Sequence, residues 1–279
     1  MNLSVVIITF NEEPNLGRTL ESVKSLVADG KGEIIVVDSG STDRTVEIAK
    51  SYGAKVFVEE WKGYAAQKNS AIDKATGDWI VSLDADEELS PGLREVIARA
   101  IGPDDDSPKI SGAWISRKNF FLGRWIRHGG FYPDRKLRLF RRGKGQFENR
   151  KVHEDVHLNG KSYALDHSYD LWGSDIDIIH HSYPTLSDYI EHMNRYSSLG
   201  AEMVVAKQNG RVRFSVINIV VRPLATFIYS YFFRLGFLDG REGLLLHLYH
   251  AVYVSWKYAK AWELANKPKQ TDGDSHLSS

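Results

Sequence analysis

Two carboxylates two residues apart, in Asp84-Ala85-Asp86, end an apolar, β-branched run that starts at Trp79. In an extended chain such side chains can bracket a hard cation while phosphate oxygens fill its open positions. The ion would neutralise charge on a departing diphosphate. Asp is also a common turn residue, so the pair gains weight only from its surroundings. Two more polar, acidic turns follow apolar runs: Thr9-Phe10-Asn11-Glu12-Glu13 and Asp38-Ser39-Gly40-Ser41-Thr42-Asp43. Ligands of open parallel sheets bind beyond the carboxyl ends of the strands, so the three turns would converge on one edge. Asp38 has a second reading as a helix cap, and Lys68 in Gln67-Lys68-Asn69 as a solvated helix residue. A P-loop or G-x-G-x-x-G turn is missing, which argues against ordinary kinases and dinucleotide dehydrogenases.

These turns need strands and helices to hold them. Leu3 to Thr9, Glu33 to Asp38, Lys55 to Val58 and Trp79 to Asp84 read as strands, alternating with helical periodicity at Leu16, Leu20, Val23 and Val27. That alternation specifies βαβ units, an α/β class with a largely parallel sheet. Ser41 or Thr42 is expected to cap a helix through Ala49, and Ser90 before Pro91 another that stops at Gly102. Gly102 to Lys109 reads as a surface connection between a nucleotide half, 1–101, and a second half, 110–210. In the second half Gly112 to Ser116 and Lys136 to Phe140 read as strands, Phe120 to Tyr132 as a functional loop and Pro184 to Val205 as a helix. Alternation puts Lys136 and Arg138 on one strand face, where Arg135, Lys136 and Arg138 could grip phosphate.

The 279 residues suffice for a large core, and 36 basic against 36 acidic residues argue against a nucleic-acid partner. Without cysteine there is neither a disulfide nor a thiolate nucleophile. No signal peptide is expected at the start. Phe214 to Phe233 is apolar around Arg222, whose insertion at a bilayer centre would cost ~2.5–3.5 kcal/mol, so a simple span is disfavoured. Arg241 to Glu263 sets His247, His250, Lys257 and Lys260 along one helical stripe, with Leu244, Leu245, Leu248, Val252 and Trp262 facing elsewhere. Residues 211–266 therefore read as helices lying in a membrane interface, the alternative being a soluble hairpin packed on the core. Residues 267–279 read as a disordered tail.

The motifs Ile8-Thr9-Phe10-Asn11-Glu12-Glu13, Val37 to Asp43, Gln67-Lys68-Asn69 and Asp84-Ala85-Asp86, in that order, resemble those of the family 2 inverting glycosyltransferases. The resemblance implies a GT-A fold, Rossmann-like with helices on both sheet faces, in which Thr9, Asn11 and Glu13 border a nucleoside. By the same resemblance Asp38 bonds the base, Lys68 approaches the pyrophosphate, Asp84 contacts ribose or sugar, and Asp86 ligates a divalent metal, Mg2+ or Mn2+. A His at a strand end completes the metal shell in many such enzymes, which points to His181 or its neighbour His180, although a lone His is more often structural. An inverting transfer needs a base near the acceptor hydroxyl. Glu154 in Val152-His153-Glu154-Asp155 resembles the Val-His-Glu signature of one branch, with Asp155 as runner-up and a salt-bridged carboxylate as the bland reading.

Gly129 to Asp134, Val152-His153-Glu154 and Gly236 to Gly243 resemble the bacterial lipopolysaccharide inner-core β-1,4-glucosyltransferase branch. That likeness implies a nucleotide-sugar donor such as UDP-glucose, a lipid-linked saccharide acceptor such as a core heptose, and a peripheral position on the cytoplasmic face of the bacterial inner membrane. Rival readings are a polyprenyl-phosphate sugar transferase, a sugar nucleotidyltransferase and a non-catalytic nucleotide-binding scaffold. The sequence specifies no oligomeric state.

Overall fold

The computed structural model describes residues 2–102, 110–148, 155–165 and 175–267. Two compact units divide at Pro184/Thr185. The first is an α/β unit around a sheet of β1 (Leu3–Thr9), β2 (Gly32–Asp38), β3 (Lys55–Val58), β4 (Trp79–Asp84), β5 (Glu87–Leu89), β6 (Gly112–Phe121), β8 (Asp134–Arg141) and β12 (Asp177–Tyr183). Their order is β3-β2-β1-β4-β8-β6-β12-β5, with β7 (Arg124–Trp125) and β11 (Ser162–Leu165) paired to β6. The first four are parallel, β8 runs antiparallel between β4 and β6, and β12 returns parallel to β6. The sheet is thus mixed where the sequence suggested a mostly parallel one. A separate ribbon pairs β9 (Gly145–Phe147) with β10 (Val156–Leu158).

Both sheet faces are covered, as strand alternation requires. Leu3, Val5 and Ile7 of β1 join Leu16, Leu20 and Val23 of α1 (Leu16–Val27), Ala49 of α2 (Thr45–Ser51) and Leu93 and Ile97 of α4 (Pro91–Ala100) in one core. Val6, Ile35 and Ile80 meet Ala65, Ala71 and Ile72 of α3 (Tyr64–Asp73) on the other. Ser90 caps α4 by accepting from the Leu93 amide, as expected. The expected cap at Ser41 or Thr42 is not formed, and α2 starts only at Thr45. There the Asp43 carboxylate takes the Thr45 amide, while the Ser41 hydroxyl is drawn back to Asp38. The expected loop from Phe120 is in part strand, with β6 running to Phe121 and β7 at Arg124–Trp125.

The second unit holds α5 (Leu186–Lys207), a π-helical turn at Ile217–Val221, α6 (Arg222–Ile228), a second π-helical turn at Tyr229–Phe233, and α7 (Gly240–Asn266). A capping box between Thr185 and Asp188 starts α5. The expected division near 210 therefore moves to 184. The physical reason is α7: the Lys260 ammonium sits among Asn194 O and Oδ1, Ser197 Oγ and Ser198 Oγ, all within hydrogen-bond reach, and shares its three protons among them, tying α5 to it. The stripe on α7 is inverted, with His247 buried and Leu244 and Leu248 exposed. Of the expected tail only Lys267 is described.

Candidate active site

Strand register assembles the site. Thr9 lies beside Asp38 and Ile8 beside Asp84, so the ends of β1, β2 and β4 form one carboxyl edge. The turns after β1 and β2 are sewn together. Asn11, in the left-handed region at φ 54°, donates its amide to Ser41 Oγ and accepts from the Thr42 amide; Glu13 accepts from the Arg44 amide. Asp38 is fully buried: Oδ1 takes the Gly40 and Ser41 amides, and Oδ2 the Thr9 and Ser41 hydroxyls. Four bonds use a carboxylate's full acceptor capacity. In this structure Thr9 and Asp38 build the turn, whereas Asn11 and Glu13 lie at its outer rim.

Ala85 points into the core and its carbonyl accepts from Thr19 Oγ1, so Asp84 and Asp86 both face the opposite way. Asp84 is bracketed by cations, Lys68 Nζ at 2.7 Å from Oδ1 and Arg138 Nη2 at 2.6 Å from Oδ2. Burial alone would raise its carboxyl, but Arg138 and Lys68 outweigh burial and hold it well below the usual range. Lys68 is buried rather than solvated and lies 5.1 Å from the centre of the Phe147 ring. Arg138 also reaches the fully buried Glu87 at 2.8 Å, which accepts from Arg117 at 2.9 Å. Arg117 ends on Asp134 at 2.6 Å. Lys136, on the same side of β8, stays with Asp134 at 3.3 Å.

Asp86 has a different neighbour. Its Oδ2 lies 3.2 Å from His180 Nε2. His181, favoured from sequence, turns instead to Glu88 Oε1 at 2.8 Å and stacks on Phe120; only its backbone amide meets Asp86, at the carbonyl. The Asn119 amide bears on the His180 tautomer. Its NH2 group is spent on Asp134 and the Phe131 carbonyl, so Oδ1 faces His180 Nδ1 at 2.7 Å and calls for a proton on that nitrogen, which the Ser182 hydroxyl also approaches at 2.7 Å. With Nδ1 so engaged, Nε2 is the ring nitrogen that faces the Asp86 carboxylate. The pair is complete only with a second proton or with a cation touching both, and a ligating imidazole held by its other N–H is how such donors are oriented.

Glu12 adds to the negative charge. Burial, then the charges of Asp86, Asp43 and Asp84, push its carboxyl up against the lowering bond from Asn15. Among the described residues no three His, Asp or Glu side chains make a preformed cage. Asp86 and His180 are the described side chains that could hold a divalent ion, with phosphate and water filling its other positions. Glu154 lies outside the described residues. Asp155 is exposed just before β10, its carbonyl accepting from the Glu148 amide.

Sequence reasoning missed the Glu87–Arg117–Asp134 chain and Asn119. Arg117 and Asn119 stand two apart on β6 and share a face, a signal that was available. What sequence could not show is that β8 lies between β4 and β6.

Comparison with known proteins agrees with this architecture. Residues 4–162 match the family described as glycosyl transferase family 2. The chain is 31% identical to the lipopolysaccharide core biosynthesis glycosyltransferase LpsC of Rhizobium meliloti (strain 1021), covering 98% of each chain. It is also 31% identical to an uncharacterized glycosyltransferase of Rickettsia typhi (strain ATCC VR-144 / Wilmington), over 96% of this chain and 89% of that one. Among solved structures, a mannosyltransferase from Pyrobaculum calidifontis in complex with GDP-Man and Mn2+ shares the fold, with TM-score 0.54 and 16% identity over 93% of this chain and 86% of that one. That neighbour makes the α/β fold a GT-A fold. With the family's match covering more than half of the sequence, and a full-length relative on the same motifs, the chain belongs to glycosyl transferase family 2.

Proposed function

We propose that this protein is an inverting, metal-dependent hexosyltransferase that moves a sugar, glucose from UDP-glucose, onto a hydroxyl of a lipid-linked saccharide such as a heptose of the lipopolysaccharide core. Its place is the cytoplasmic face of the bacterial inner membrane. The observation that carries the reading is the carboxyl edge itself, where Asp84 gathers two cations while Asp86 is left facing an imidazole. The full-length likeness to a lipopolysaccharide core glycosyltransferase supports the acceptor class.

Asp86 and His180 would hold Mg2+ or Mn2+, and the nucleoside would lie along the β1 and β2 turns. When bound, the ion neutralises charge on the departing nucleoside diphosphate. Lys68 and Arg138, buried beside Asp84, supply fixed positive charge for the diphosphate in a site where water screens little. Glu154, or Asp155 in its place, takes the proton from the acceptor hydroxyl; that oxygen bonds to the anomeric carbon as the bond to the nucleoside diphosphate breaks. Asp86→Ala should lower transfer from UDP-glucose to a core lipid at least ~100-fold with the melting temperature unchanged. Near-normal turnover in that variant would remove the metal assignment. An anionic polyprenyl phosphate acceptor needs no strong base, so transfer that survives Glu154→Gln would favour that rival.

A further inference from the structure

The second unit exposes an apolar face that its fold leaves uncovered. Ile217, Val220, Val221, Leu224, Ile228 and Phe232 recur three or four residues apart through the two π-helical turns and α6, and each is more than a third exposed. Phe233, at 76% exposure, extends it. Contiguous apolar surface on this scale marks an interaction site. Among the described residues no helix is long and apolar enough to cross a membrane.

Charge narrows the partner. Residues 211–242 carry five exposed arginines, at 211, 213, 222, 234 and 241, against two acidic residues: Asp239, which is buried, and Glu242, which pairs with Arg241 at 2.8 Å and leaves four arginines in excess of it. One arginine is held in an unusual place. Arg222 donates to the Tyr258 hydroxyl and its guanidinium lies 5.0 Å from the ring centre; Lys257 Nζ lies 5.0 Å from the same centre. Two cations share one aromatic ring, and among the described residues neither forms an ion pair with a carboxylate. Two cations, each 5.0 Å from one ring centre and without a carboxylate partner among the described residues, favour an anion at that ring. An arginine fork beside a lysine fits a phosphate ester.

We propose that this face lies on an anionic lipid bilayer, with Arg222 and Lys257 on Tyr258 forming the site for a lipid headgroup phosphate and the apolar residues entering the acyl boundary. The inference rests on the membrane location given under the proposed function and adds the surface, the lipid charge and the residues. A second copy of this chain would bring the arginines at 211, 213, 222 and 234 against themselves, which disfavours self-association through this face.

The test is flotation of the full chain with phosphatidylcholine vesicles, with and without a third of phosphatidylglycerol, at low and high salt. Binding should need phosphatidylglycerol and weaken in high salt. Arg222→Gln with Lys257→Gln should reduce partitioning about 30-fold, as about 1 kcal/mol per basic residue at an anionic surface implies. Phe232→Ser with Phe233→Ser should also reduce binding to the phosphatidylglycerol vesicles, and should leave the salt dependence of what remains unchanged. Circular dichroism and hydrolysis of UDP-glucose without vesicles should be unchanged in both variants. Equal binding to neutral and anionic vesicles, unaffected by the charge substitutions, would overturn the headgroup site. No binding to either would overturn the surface and the membrane location together, while the hydrolysis assay reports separately on the transferase reading. A vesicle-independent dimer broken by the Phe232 and Phe233 substitutions would reassign the face to a second copy.

Discussion

Asp84 and Asp86 differ in what surrounds them more than in what they are. Asp84 has both oxygens engaged by Lys68 and Arg138, and removing one partner of such a buried set strands the other charges. Arg138→Met should therefore cost about 3–5 kcal/mol in denaturant unfolding, far more than Asp86→Ala, whose loss should appear in turnover. His180→Ala should resemble Asp86→Ala in transfer, whereas His181→Ala should leave turnover within a few-fold. Equal losses in the two histidine variants would contradict the assignment. The carboxylate pair was legible from its place at the end of an apolar run, but the choice between the histidines was not. That choice is made by parallel pairing of His180 with Asn119 across β12 and β6, a contact between residues 61 apart.

The elements were most legible where local pattern and long-range pairing agree. The first four strands run as their apolar stretches indicate, and α1 buries the face its spacing predicts. The start of α2 was misplaced because Ser41, a good cap by type, serves Asp38, a competition decided by the neighbouring strand. Glu33 is an element-level staple. It accepts from Ser4, Thr76 and Lys55, joining β1, β2, β3 and the approach to β4, and although burial opposes it, these bonds lower its carboxyl to about 2. A depressed folded value stabilises above the unfolded one and is lost as pH falls, so this contribution should be full above about pH 4.5 and fade toward pH 2. Discounted for solvent, it should amount to about 1–2 kcal/mol, and Glu33→Gln should flatten that part of the stability curve. In the second unit a Cβ on Gly236 would come 2.2 Å from His247 Nε2 and 2.9 Å from the Ser230 carbonyl. Gly236→Ala should cost about 1–3 kcal/mol by overpacking, measured by thermal unfolding.

At the scale of the whole molecule, one chain carries an α/β unit with a charged carboxyl edge and a helical unit with an apolar, arginine-rimmed face. Composition excluded much, but a net charge of zero hides both features, because the opposite charges are segregated along the sequence. That residues 217–266 are largely helical was legible from their apolar runs and helical spacing. The extent of the helical unit was not, since Thr185 to Lys207 looks like an ordinary amphipathic helix until Lys260 ties it to α7. The central claim is that sugar leaves a nucleoside diphosphate at Asp86. Its most direct test is mass detection of both products after incubation of the protein with UDP-glucose and a heptose-containing core lipid, with and without EDTA. A lipid one hexose heavier is expected together with UDP, both lost in EDTA; release of pyrophosphate, or transfer undiminished by EDTA, would rule this reaction out.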